Sequence, residues 1–99
     1  MKYEIERTSY FHEWLTKLRD RQAVLAINKR LTRVAMGNFG DCKEVSAGVF
    51  ELRFFIGPGY RVYFTIRGAT IVLLLCGGDK ASQHVDVKRA VNMAWNMES

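Results

Sequence analysis

The sequence has a single proline and only two cysteines, and no apolar run comes near the roughly 20 residues a membrane-spanning helix needs. Its longest apolar run, residues 71–76, has the length of a buried strand. The first ten residues, MKYEIERTSY, have no apolar stretch of the kind that directs secretion. Cys42 and Cys76 stand far apart and form no C-x-x-C, so without a secretion signal they read as free thiols in a reducing cytoplasm. P-loop and dinucleotide fingerprints are also missing. Gly57-Pro58-Gly59 lies between two strand-like runs, not at a strand-to-helix phosphate site. His12 and His84 are isolated, with no partner at metal-ligand spacing, and no serine or cysteine nucleophile has an evident base. Internal repeats and low-complexity stretches are lacking as well.

What is present is charge of one sign. Fifteen Lys and Arg against ten Asp and Glu give +5 and a pI near 9.5. On a chain of 99 residues this favours an anionic partner, nucleic acid first and an acidic protein second, against the plainer reading of solubility alone. A hydrophobic fraction of 48% suffices for one core, so the expectation is one domain over residues 1–99.

Along the chain, residues 2–6 alternate polar and apolar, predicting a short strand with Tyr3 and Ile5 inward. Thr8 or Ser9 can cap a helix whose apolar face is Phe11, Trp14, Leu15 and Leu18. Asp20 can cap a second helix carrying Val24, Ile27, Leu31, Val34 and Ala35, which ends at Gly37. Lys29, Arg30 and Arg33 make its polar side: a solvated face or, for Lys29 and Arg33, a contact to RNA. Residues 38–48 read as a loop of little order.

Residues 49–83 predict a three-stranded antiparallel meander. A three-residue loop, Gly57-Pro58-Gly59, pairs Phe54 with Val62, Leu52 with Phe64, Arg53 with Tyr63 and Phe55 with Arg61, keeping apolar opposite apolar. Gly68-Ala69 suits a two-residue II′ turn, pairing Phe64 with Leu73, Tyr63 with Leu74 and Arg61 with Cys76. That register gathers Arg53, Arg61, Tyr63, Val72, Leu74 and Cys76 opposite the main core, with Lys80 at the rim. Ser82 can cap a last helix with Val87, Ala90, Val91 and Ala94 at helical spacing and Trp95 and Met97 nearby. That helix could cover the Val72–Leu74 patch.

Arg53 and Arg61 can each grip a phosphate with two parallel hydrogen bonds. Lys80 follows Gly77-Gly78, where the backbone can bend closely around a ligand. Tyr63 and Phe55 could stack on bases. Asp79 and Asp86 flank Lys80, placed to orient it or Arg61, or, for Asp79, to shape the turn. The same set also fits the wet side of a half-exposed sheet.

The run Glu51-Leu52-Arg53, then residues 57–64 (GPGYRVYF) and 73–80 (LLLCGGDK), resembles the HigB-type branch of the RelE/ParE superfamily of bacterial toxins, the addiction-module killer proteins. The resemblance implies a compact α+β fold: an N-terminal strand and two-helix hairpin packed on an antiparallel meander, then a short C-terminal helix. It implies the toxin of a type II toxin–antitoxin module, held by a cognate antitoxin of helix-turn-helix type. It also implies an endonuclease that cuts messenger RNA in the ribosomal A site, without metal or cofactor, by attack of the 2′-hydroxyl on the adjacent phosphate. Arg61 takes the position of a phosphate-binding arginine, Lys80 that of a cation after the last strand, and Arg53 a basic position. Glu51 stands where RelE has a second basic residue. The C-terminal tyrosine of RelE is missing, and His84 and Asp86 occupy that region. His84, Asp86 or a Lys80 of lowered pKa would be the base. A DNA gyrase poison of the ParE type and a non-catalytic RNA- or ribosome-binding module are the alternatives. The Val72–Leu74 patch, or the groove beside the N-terminal helices, would receive the antitoxin.

Overall fold

A computed structural model describes residues 2–96. Met97 of the expected last helix lies outside them. The chain runs β1 (Glu4–Arg7), α1 (Ser9–Lys17), α2 (Arg21–Ala35), β2 (Cys42–Ser46), β3 (Val49–Arg53), β4 (Arg61–Arg67), β5 (Ile71–Gly78) and α3 (Gln83–Asn96). One sheet in the order β1-β5-β4-β3-β2 carries α1 and α2 on one face and α3 on the other. Among the described residues only the β1–β5 pairing is parallel.

The helix boundaries follow the chemistry of their caps. Thr8 Oγ1 accepts from the Phe11 N–H at 3.0 Å, and Asp20 Oδ1 accepts from the Ala23 N–H at 3.1 Å. Gly37 leaves α2 with φ of 96°, the left-handed region where a side chain is disfavoured. Phe11 and Leu15 of α1 and Ile27, Leu31 and Val34 of α2 bury their apolar stripes against Leu52, Phe54, Val62, Phe64, Val72 and Leu74. Tyr3 and Ile5 pack at the edge of this core, as their alternation predicts. Ala90, with Val87, Val91 and Ala94 beside it, covers a second core of Val49, Tyr63, Leu73, Leu75 and Cys76.

Four sequence expectations need correction. The segment 38–48 is not a loop of little order, for β2 forms within it and pairs with β3. The signal is weak because Cys42–Ser46 alternates only partly. Its approach is fixed from outside: Arg30 donates to the carbonyls of Phe39, Asp41 and Arg53 while its guanidinium lies 4.5 Å from the Phe54 ring centre.

The β3–β4 register differs from the expected one by two residues: Phe50 faces Phe64, Leu52 faces Val62 and Arg53 faces Arg61. The connection is longer than three residues, with the Phe54 N–H bonded to the Tyr60 carbonyl and the chain turned by Gly57 and Gly59 at φ of 54° and 81°. An even shift leaves every side chain on its predicted face.

At the second turn the shift is odd. Gly68 and Ala69 both have positive φ, 57° and 67°, as a I′ turn requires, and Arg67 faces Ile71. Val72 and Leu74 therefore turn into the main core beneath α1 and α2, fully buried, and are no surface patch. The helix α3 covers Leu73 and Leu75 instead. A bulge opposite Tyr63 and Phe64 then restores the predicted face for Cys76.

That bulge is stapled from α1. The bulged Leu75 carbonyl accepts from Thr8 Oγ1 at 2.8 Å, so one hydroxyl caps α1 and satisfies the bulge. Thr8→Ala should lower unfolding free energy by about 2 kcal/mol, measurable by urea denaturation at unchanged m.

Candidate functional site

The site is the end of the sheet where β3 and β4 meet the start of α3. Pairing runs from Arg53 to Arg61 to Gly78, which sets both arginines in one row on the α3 side. The next row is Lys43, Glu51, Tyr63 and Cys76. The tip of the β3–β4 connection folds back on the β5–α3 loop, where the Lys80 N–H donates to the Pro58 carbonyl at 3.4 Å. Arg53, Arg61 and Lys80 are thus brought to one end of the molecule.

Each arginine has an acidic partner. Arg61 Nη1 lies 3.1 Å from Glu51 Oε1, and this pair is almost entirely out of water, with side chains 11% and 0% exposed. Glu51 Oε2 accepts from the Tyr63 hydroxyl at 3.1 Å and the Gln83 amide at 2.8 Å. Burial, and then Glu51, push the Tyr63 phenol far above its usual range, so it remains a donor. Arg53 reaches Asp41 Oδ1 through Nε and Nη2 at 3.3 and 3.0 Å. That hydrogen bond raises its pKa further, and the guanidinium stays charged. It also lies 5.7 Å from the ring centre of Phe55, which is exposed.

The lysines differ. Lys80 and Lys43 are exposed, and among the described residues no ion pair engages them. His84, on the first turn of α3, is exposed too. It lines an open cleft of about 570 Å³ with Lys43, Val45, Gln83, Val87 and Lys88.

Four sequence-predicted residues fall outside this arrangement. Tyr63 is completely buried, so its ring offers no face to a base, because the alternation that aims it at the α3 side aims it beneath α3. Lys29 and Arg33 are exposed on α2, which packs on the opposite face of the sheet, and are not gathered with the arginines. Asp86 is buried, accepting from Arg89 Nη1 at 3.0 Å and from the Ser82 hydroxyl. Ser82 and Asp79 exchange backbone and side-chain bonds at 3.1 Å, so this cluster fixes the β5–α3 turn. A Cβ at Gly78 would overlap the Asp86 carboxylate, so that glycine permits the packing.

Sequence reading also passed over Asp41 and Gln83, and saw Glu51 only as a departure from a basic position. The signal for Glu51 was available, since strand alternation puts it on the face of Arg53, Arg61 and Tyr63. Among the described residues no group of three or more His, Cys, Asp or Glu is placed to hold a metal ion, and no helix is long and apolar enough to cross a membrane.

Asp86→Ala should cost on the order of 1–3 kcal/mol of stability, because the Ser82 and Arg89 contacts lose their acceptor. A thermal melt checks this; an unchanged melting temperature would show that Asp86 holds nothing together.

No family model matches the chain. An uncharacterized protein from Haemophilus influenzae is 47% identical over 97 residues, covering 98% of each chain. Among solved structures, a chain of the RelBE2 toxin–antitoxin complex from Mycobacterium tuberculosis superposes with a TM-score of 0.63 at 21% identity, over 81% of this chain and 100% of that one. The chain therefore belongs to one family with the Haemophilus influenzae protein and has a RelE-like α+β fold.

Proposed function

We propose that the protein is the toxin of a type II toxin–antitoxin module and acts in the cytoplasm as a ribosome-dependent messenger RNA endonuclease of the HigB type. The observation that carries this reading is the end of a RelE-like sheet where Lys80 is brought beside Arg53 and Arg61, each arginine held by one acid, at the start of α3.

In the proposed reaction the messenger's 2′-hydroxyl attacks the adjacent phosphate. The bond to the 5′-oxygen breaks, leaving a 2′,3′-cyclic phosphate and a 5′-hydroxyl. One proton leaves the 2′-hydroxyl and one is delivered to the 5′-oxygen. Negative charge grows on the phosphorane oxygens, and cations fixed there favour the transition state over the ground state. Lys80, with no ion pair among the described residues, supplies an exposed charge, and Arg61 supplies a planar fork of donors. Proton transfer falls to exposed His84 or to Lys80, since Asp86 is enclosed and engaged. Phe55 is open to stacking on a base, and Lys29 and Arg33 would meet RNA only on a separate face.

The partner is a cognate antitoxin of helix-turn-helix type. With Val72 and Leu74 in the core, the open apolar groove between α1 and α2 is the seat for its docking segment. It has a volume of about 390 Å³ and is lined by Leu15, Leu18, Val24 and the exposed Leu25.

Translation in vitro with primer extension across the message tests the function. The wild type should produce new ends at the A site, and Lys80→Ala should slow their appearance on the order of 10²–10³-fold. Intact message together with impaired gyrase supercoiling would replace this reading with that of a gyrase poison. Single-turnover rates against pH for His84→Ala decide the base: if the wild-type profile persists, His84 transfers no proton.

A further inference from the structure

Arg61 is held in a way that its proposed role does not explain. One nitrogen, Nη1, is committed to Glu51. Nε is enclosed by protein and has no hydrogen-bond partner among the described residues. Yet Nε and Nη2 form the edge with which a guanidinium grips an oxyanion through two parallel bonds. A phosphate gripping that edge must draw the guanidinium outward, and in doing so must part it from Glu51.

Glu51 keeps part of its hydrogen bonding through that parting. Its Oε2 keeps the Tyr63 hydroxyl and the Gln83 amide, so only Oε1 loses its donor. While the pair is closed, its charges cancel, and Arg61 presents little net field to an anion. The geometry points to Glu51 as the residue that sets the phosphate affinity of Arg61, an internal anion that an incoming phosphate must displace. This inference rests on the reading that Arg61 binds phosphate.

Two variants should move phosphate affinity in opposite directions. Glu51→Gln keeps the shape and an acceptor oxygen but removes the competing charge, so phosphate should bind roughly tenfold tighter or more. Tyr63→Phe removes a donor from the carboxylate, which then depends more on Arg61, so phosphate should bind several-fold more weakly. A merely structural role would move both variants the same way.

The experiment is a titration of ¹⁵N-labelled protein with inorganic phosphate, following the Arg61 Nε–H resonance in the wild type and both variants. Opposite shifts in affinity support the inference. Unchanged or weaker binding by Glu51→Gln overturns it, as does a change of the same sign in both. If Glu51→Gln does not fold, Tyr63→Phe decides alone, and equal or tighter binding there is the overturning result. No phosphate-dependent shift in any of the proteins removes both the inference and Arg61 as a phosphate ligand. Primer extension on the same wild-type protein separates the remaining cases. Cleavage without competition leaves the endonuclease standing and Glu51 structural; competition without cleavage leaves the internal anion standing and the endonuclease disproved.

Discussion

A carboxylate with no contact with water sits where three elements meet, and much of the architecture follows from satisfying it. Glu51 belongs to β3; its donors come from β4, in Arg61 and Tyr63, and from the first residue of α3, in Gln83. A buried charge is tolerable only with this kind of saturation. It fixes the sheet register at one end and the entry of α3 over the sheet. The Lys80 loop and His84 flank Gln83, so their placement at this end of the sheet follows from the same contacts.

A second constraint acts from the other face. The Leu75 bulge inserts one residue into β5, and Thr8 holds its carbonyl from the start of α1. The bulge changes which residues face α3: above it the pleat gives Leu73 to α3 and Val72 and Leu74 to the main core, while past it Cys76 lies beneath α3. The thiol is buried there, and its pKa is pushed up to about 12 by burial and by Asp86. Without the bulge, the strand end carrying Gly77 and Gly78 would have the wrong face toward Trp14 and Asp86, whose side chains occupy the space a Cβ would fill.

Much of this was legible in the residues, and the limits have physical causes. Caps at Thr8 and Asp20, the αL exit at Gly37 and the apolar stripes of the helices are local signals, and they were readable as such. The face of Arg53 and Arg61 was readable because a two-residue register error preserves the pleat. Val72 and Leu74 were misassigned because a one-residue error does not, and the sequence does not announce that Ala69 joins Gly68 at positive φ. Convergence of Lys80 with the arginines was expected. The neutralisation of Arg61 by Glu51 was open to the same alternation argument, but that of Arg53 was not, because Asp41 lies in a segment whose strand Arg30 positions from α2, a tertiary effect without a local signature.

That neutralisation changes what a mutation at Arg61 can mean. Removing one member of a buried ion pair strands the other, at about 3–5 kcal/mol. Domains of this kind have only about 5–15 kcal/mol in total. Arg61→Ala would leave the buried Glu51 carboxyl with Tyr63 and Gln83 alone, so any function lost in that variant reports lost folded protein as much as a lost phosphate ligand. Lys80 is exposed and has no ion pair among the described residues, so its removal tests the proposed site without this cost. Evidence for a phosphate site therefore has to come first from Lys80, and Arg61 becomes interpretable only together with Glu51, as a pair whose members are changed jointly.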